Sequence, residues 1–168
     1  MAIAINSKSL DDLEPEVKVL AEQLIAKCKA ENIQIIVTST YRNFASQAQL
    51  YAQGRTTAGR KVTNAKPGQS YHNWRVAFDI VPVRNGKPVW STSGEDGKMW
   101  QRIGAIGVSL GLEWAGNWKT FKEYPHFQKL PEGVKSWRDL LAKFPNGLPE
   151  KKELFVDDPD VVMYEVIE

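Results

Sequence analysis

The sequence predicts an α+β fold, one domain with a small antiparallel sheet packed with helices, on three observations. Segments with apolar residues at helical spacing alternate with short β-branched runs, so both element types are mixed along one stretch of chain. Asn85-Gly86 stands between two such runs, and this dipeptide supplies the positive φ angles that a tight antiparallel hairpin needs. The length of 168 residues with 42% apolar content is enough for one proper core and too little for two large domains.

The elements follow in order. Leu13, Val17, Leu20 and Leu24 recur at helical intervals and predict a helix from about Leu13 to Lys29. Ser9 and the acids after it give a start signal, and Pro15 is tolerated only in a first turn. Ile33 to Ser39 is rich in β-branched residues and reads as a strand. Ser46 to Gln53 reads as a second helix stopped by Gly54. Thr56 to Gln69 contains Gly59, Pro67 and Gly68 without an apolar period, which predicts a long loop of the kind that often carries function. The apolar run from Val76 to Val83 reads as a buried strand, turned at Asn85-Gly86 into a short run from Pro88 to Trp90. Met99, Ile103 and Ile106 mark a third helix that stops near Gly111, and Trp137 to Phe144 a last one. Two short strands are expected between them, at Leu112 to Trp114 and Tyr124 to Gln128.

Pro145 to Pro149 reads as a boundary, dividing a domain of residues 1–144 from an acidic tail of residues 145–168. The tail is too short to be an independent domain, and it is expected to add an edge strand or to fold back on a basic face. Its segment from Leu148 onward carries seven acids against Lys151 and Lys152, so the overall net charge of +2 conceals a body with 20 basic and 13 acidic residues. No acid occurs between Glu31 and Asp79, whereas Arg42, Arg55, Arg60, Lys61, Lys66 and Arg75 all fall there. Such an interval suits an anionic substrate, although a solvated loop produces the same composition. The absence of a recognition-helix, zinc-finger or RNP pattern argues against nucleic acid as the partner. No hydrophobic stretch approaches membrane-spanning length, so no membrane insertion is expected. Met1 to Ile5 lacks the basic start and cleavage pattern of a signal peptide, which predicts a cytoplasmic protein unless something else carries it out. The single Cys28 excludes an internal disulfide and a thiolate-rich zinc site.

The chain has two histidines. His72 stands seven residues ahead of Asp79, and His126 closes the run Glu123 to His126. Two imidazoles and a carboxylate are the donor set of a catalytic zinc centre with one position left for water, although a histidine is more often a core or surface residue than a ligand. Asp79 strengthens the zinc reading, because a carboxylate set in an apolar strand between Phe78 and Ile80 needs a cation or good hydrogen bonds. Glu123 is then the candidate base. Pro125 pushes Tyr124 toward an extended conformation, so the site is expected on strands and loops, not on one helix face. Residues three apart on a flat strand point to opposite faces, so Glu123 and His126 can share a site only if the chain bends there.

Several of these segments together resemble a known family. The run from Ser70 to Asp79 resembles the Ser-x-His-x-x-Gly-x-Ala-x-Asp pattern of the LAS-type zinc D,D/L,D-peptidases. That group includes D-alanyl-D-alanine carboxypeptidases, vancomycin-resistance dipeptidases and the L-alanyl-D-glutamate endopeptidases of phage endolysins. Glu123 to Gln128 is similar to its partner motif, Thr38 to Arg42 followed by Gln47 to its Ser-x-Tyr-Arg segment, and Trp114 to Trp118 to the Trp-Gly-Gly-Asp-Trp stretch of the endolysin branch. The likeness runs from about Leu10 to Phe144 in order and spacing. Arg75 replaces the family glycine, and Ala115 and Asn117 stand where the endolysin branch has glycine and aspartate.

The resemblance implies that His72, Asp79 and His126 hold Zn²⁺, that Glu123 is the catalytic base and that Arg42 stabilises developing negative charge. Ser70, Gln47, Trp74 and Trp118 are candidates for contacting substrate, with a packing role open to Gln47 and to the tryptophans. The implied activity is hydrolysis of the L-alanyl-D-glutamate bond of peptidoglycan stem peptides by a monomeric enzyme. The implied route to the wall is release from the cytoplasm through a holin.

Overall fold

A computed structural model describes residues 3–149 and, as backbone alone, 151–155 and 162–166. Helix α1 (Pro15–Ala30) begins with Pro15 in its first turn and buries Val17, Ala21, Leu24 and Cys28, a stripe on one face. Lys27 and Lys29 in its last turn suit the negative end of the helix dipole. The start signal at Ser9 serves a different element: its hydroxyl accepts from the Asp11 N–H to cap a 3₁₀ turn, Leu10–Asp12, placed just ahead of the helix.

Strand β1 (Gln34–Ser39) pairs antiparallel with β2 (Ala77–Arg84), and a register shift between Val37 and Ser39 sets Ser39 opposite Asp79. Helix α2 (Phe44–Ala52) lies between them in sequence, capped by Asn43, whose side chain accepts from the Ser46 N–H. The hairpin at Asn85-Gly86 forms with positive φ at both residues, 52° and 74°, and leads into β3 (Lys87–Pro88), shorter than the expected run to Trp90. Helix α3 (Gly94–Ser109) precedes β4 (Glu113–Trp114), and β5 (His126–Gln128) pairs with both β4 and β2. The sheet order is β1-β2-β5-β4 with β3 beside β2, every pairing antiparallel. Helix α4 (Trp137–Lys143) closes the domain with a capping box between Ser136 and Asp139.

The core lies between α1, α3 and the sheet and includes Leu24, Trp74, Phe78, Ile80, Trp100, Ile103, Trp114 and Phe127. Close approach of α3 depends on two glycines. A Cβ on Gly104 would stand 2.2 Å from the Trp114 ring and one on Gly107 2.4 Å from the Phe127 ring, so larger side chains would push the helix off the sheet. Trp114 is held from its other end, its indole N–H donating to the Tyr124 carbonyl at 2.8 Å.

In the tail, β6 (Lys151–Phe155) and β7 (Val162–Val166) pair with one another as a separate two-stranded sheet, which corrects the expectation of an edge strand on the main sheet. The acids Asp157, Asp158 and Asp160, expected to cover the basic face, lie outside the described residues.

Cys28 is fully buried in α1, and burial, aided by Glu31, pushes its thiol from 9.0 up to about 11. A folded-state value above the unfolded one gives a contribution present below the unfolded pKa and lost as pH rises through the folded one. The stability advantage of wild type over Cys28→Ala should therefore shrink between pH 9 and 11, as read by urea unfolding, and the native thiol should resist disulfide reagents near pH 8.

Candidate metal centre

The register of the sheet assembles the site. Asp79 on β2 lies directly opposite His126 on β5, and cross-strand partners project from the same face of a sheet. Alternation along β2 sends Phe78 and Ile80 into the core and leaves the Asp79 carboxylate about one-quarter exposed on the other side. His72 arrives from a 3₁₀ turn, Tyr71–Trp74, just past the long loop expected from Thr56 to Gln69. Three hydrogen bonds of the Asn73 and Trp74 side chains help fix this turn: Asn73 donates to the Arg42 carbonyl and accepts from the Gly68 N–H, and the Trp74 indole donates to the Gly68 carbonyl. The bend required at Glu123 is present as a turn through Tyr124 and Pro125, closed by the His126 N–H on the Glu123 carbonyl at 3.3 Å.

Asp79 Oδ1 stands 3.2 Å from His72 Nε2 and 3.1 Å from His126 Nδ1. Among the described residues, this is a group of three side chains able to hold a metal ion, with donor atoms all within 4.8 Å of one another. Ligands at the usual zinc distances in a tetrahedron are about 3.3 Å apart, close to the two short separations here.

The outer hydrogen bonds of the imidazoles test the fit more sharply. His72 Nδ1 is 2.8 Å from the Thr40 carbonyl, an acceptor only, so Nδ1 carries the hydrogen and Nε2 presents a lone pair. His126 Nε2 is 2.8 Å from Gln128 Oε1, so Nε2 carries the hydrogen and Nδ1 presents its lone pair. Two nitrogen lone pairs and a carboxylate oxygen thus converge on one space, and a bound cation would relieve their mutual repulsion.

Burial alone would raise the Asp79 carboxyl, but the neighbouring imidazoles override it and hold it well below the usual carboxylate range. Burial lowers the His126 imidazole, and the hydrogen bond and charge of Asp79, with Gln128 and Glu123, turn the net shift upward. Arg42 is lowered by burial, against the pull of Asp79 and Glu123.

Around this centre is a cleft of about 1030 Å³. Arg42, Ser70, Trp118 and Glu123 line it, as do Lys61 and Lys122 on its walls. Glu123 is more than half exposed, with Oε2 3.9 Å from His126 Nδ1. Arg42 donates to Gln47 at 3.0 Å and to Ser39 at 3.4 Å, and its buried Nε has no partner among the described residues. Gln47 is fully buried, its amide shared between Arg42 and the Ala65 carbonyl, so in this structure it serves the cleft by holding Arg42. Trp74 is 2% exposed against Phe44, in the core and not on the cleft wall, because its indole is tied to Gly68. Arg55 is pinned to the Tyr51 and Thr63 carbonyls over the Tyr51 ring, which makes it a brace of the long loop. The sequence reading missed two polar residues behind His126: Gln128, and Glu113 beyond it. Gln128 sits in the motif matched above, whereas an exposed strand-end Glu113 carries no signal of its own.

An α+β domain with an imidazole-carboxylate donor set at the floor of a cleft, beside an exposed carboxylate, has the equipment of a metal-dependent hydrolase. The VanY family model, D-alanyl-D-alanine carboxypeptidase, matches residues 10–128, and this chain belongs to that family. The peptidoglycan L-alanyl-D-glutamate endopeptidase CwlK of Bacillus subtilis (strain 168) is 39% identical over 125 residues, covering 71% of this chain and 75% of CwlK. Two solved structures share the fold. The Serratia marcescens L-Ala D-Glu endopeptidase ChiX gives a TM-score of 0.53 at 20% identity, over 78% of this chain and 86% of that one. A mutant of the vancomycin-resistance D,D-pentapeptidase VanY, from a VanB-type cassette and in complex with Zn(II), gives 0.50 at 18%, over 77% and 83%.

Arg75, at the family glycine position, has φ 60° and ψ 20°, the left-handed conformation glycine adopts freely. Its contacts offset the strain: the guanidinium lies 3.7 Å from the Tyr41 ring centroid and donates to the Asp12 carbonyl at 2.8 Å. Arg75→Ala keeps the strain and loses the contacts, at an expected cost of about 2–3 kcal/mol. Arg75→Gly relieves the strain and should cost roughly 1 kcal/mol less by chemical denaturation. Equal losses would show that this backbone angle is unstrained.

Proposed function

We propose that this chain is a zinc-dependent peptidoglycan endopeptidase that hydrolyses the L-alanyl-D-glutamate bond of stem peptides. The observation that carries the reading is the convergence of two lone-pair imidazole nitrogens on Asp79 within a basic-walled cleft. The identity to CwlK supports the choice of bond.

His72, Asp79 and His126 would hold Zn²⁺, a choice supported by the imidazole-carboxylate donor set and by the fold neighbour in complex with Zn(II). When bound, zinc supplies Lewis acidity, making water a nucleophile near neutral pH and polarising a carbonyl. The remaining steps fall to the chain's own groups. Glu123, exposed to cleft water, takes the proton of the attacking water and returns it to the leaving amine as the peptide C–N bond breaks. Arg42, held by Gln47 and Ser39, brings a fixed positive charge to the developing oxyanion or to a substrate carboxylate. Lys61 and Lys122 attract an acidic peptide to the cleft, and Ser70 and Trp118 orient it.

The site of action is the bacterial wall, reached from the cytoplasm by holin-type release, and the working form is a monomer. No helix among the described residues is long and apolar enough to cross a membrane. A second reading, D-alanyl-D-alanine carboxypeptidase, is favoured by the description of the matching family. A third, a wall-binding module without catalysis, gives an exposed Glu123 nothing to do.

Digestion of purified peptidoglycan separates them: a new D-glutamate amino terminus supports the proposal, and released D-alanine supports the second reading. Glu123→Ala should lower turnover by about 10²–10⁴-fold while retaining metal, and chelator should abolish wall clearing. Wild type, variant and chelated protein that behave alike, with neither a D-glutamate terminus nor D-alanine released, would leave only the third reading. Asp79→Ala should lose bound zinc by direct metal analysis and should no longer be stabilised thermally by added zinc. Unchanged zinc content would remove Asp79 from the ligand set.

A further inference from the structure

Glu113 and Gln128 are cross-strand partners on β4 and β5, one step along the sheet from the Asp79–His126 pair. The Gln128 amide donates to Glu113 Oε2 at 3.0 Å, while its carbonyl faces His126 Nε2 at 2.8 Å. The other carboxylate oxygen, Oε1, accepts the Trp118 indole N–H at 2.7 Å. Glu113 itself lies outside the cleft lining, whereas Trp118 belongs to it and has its ring centroid 5.5 Å from that of His126.

The two ligand histidines are therefore anchored differently. His72 rests on a backbone carbonyl, which can only accept, so its tautomer is fixed by the chain. His126 rests on a side-chain amide, which can donate or accept depending on which way it is turned. Asp79 Oδ1, 3.1 Å from His126 Nδ1, favours a hydrogen on Nδ1, the tautomer that blocks metal binding. A flipped Gln128 amide would support that tautomer by donating to Nε2. What opposes the flip is Glu113: turning the amide would set a carbonyl oxygen against a carboxylate, at a Gln128 that is only 2% exposed and has little access to water. Trp118 holds the carboxylate in place, so it cannot swing aside.

We propose that Glu113 is a positioning residue that locks His126 in its metal-competent tautomer through the amide of Gln128, with Trp118 as the brace. This deepens the zinc-site reading above and rests on it. The consequence is that metal affinity depends on a surface carboxylate that touches neither metal nor substrate.

The test uses the whole 168-residue chain labelled with ¹⁵N-histidine, whose two rings give separate long-range ¹H–¹⁵N correlations that identify each tautomer. At alkaline pH without metal, wild type should show His126 protonated on Nε2, and Glu113→Ala should move the hydrogen to Nδ1 while His72 stays unchanged. Zinc affinity by chelator competition should fall about 10–100-fold in the same variant. Adding Gln128→Glu to Glu113→Ala should restore the tautomer and most of the affinity, because a carboxylate at that position can only accept. Glu113 is exposed and Gln128→Glu preserves side-chain size, so the variants should fold, which a thermal melt checks on each. An unchanged His126 tautomer in Glu113→Ala overturns the proposal, as does weakened zinc binding without a tautomer change or a double variant that restores neither. A wild type that binds no zinc would defeat the zinc reading, while the metal-free tautomer still reports on the lock.

Discussion

The structure depends on one constraint, the antiparallel register that sets Asp79 of β2 against His126 of β5. A slip of one residue would send Asp79 into the core and turn Phe78 toward the cleft, since side chains alternate along a strand. The register is guarded from the apolar side by the stacked pair Phe78 and Phe127, with ring centroids 5.7 Å apart, and by Trp114 beyond them. The packing energy of the core therefore also fixes the spacing of the polar atoms on the opposite face. Gly104 and Gly107 belong to this account, because they let α3 press on the aromatic layer.

Polar organisation then radiates outward from Asp79. One branch runs through His72 to the backbone at Thr40, and another through His126 to Gln128, Glu113 and Trp118. A third fixes the cation opposite, as Arg42 is held by Gln47, which is held in turn by the Ala65 carbonyl of the long loop. Each branch ends on backbone or on a group at the surface, so the buried polar atoms at the centre are oriented by partners that are themselves held. The long loop that contributes Lys61 to the cleft is tied down the same way, by Arg55 and by Gln47, which explains how a stretch without regular structure can present a defined wall.

Much of this was legible in the sequence because local chemistry and tertiary role coincide there. The Asn85-Gly86 turn, the stripe of α1 and the β-branched runs each state their structure directly. The candidate donors His72, Asp79 and His126 were legible as well, from residue type, and the bend before His126 from the alternation that would otherwise turn Glu123 and His126 to opposite faces. What stayed hidden depends on partners distant in sequence. Nothing local shows that Gln47 turns inward to Arg42, that Trp74 is captured by Gly68, or that Glu113 reaches Gln128 across the sheet. Ser9 misled for a related reason: a capping residue announces a helical turn without saying whether that turn continues, and here Leu13 and Glu14 interrupt it before Pro15 restarts the helix.

The left-handed residue at position 75 limits how freely this domain can be recombined with its relatives. Its guanidinium joins the segment carrying His72 to the chain around Asp12 and to the ring of Tyr41, two places remote in sequence. A graft of residues 70–75 from a glycine-bearing relative would carry the loop but leave those two acceptors without their cation, and the reverse graft would bring a strained arginine with nothing to hold it. Chimeras that exchange this loop need positions 12 and 41 to travel with it as a unit.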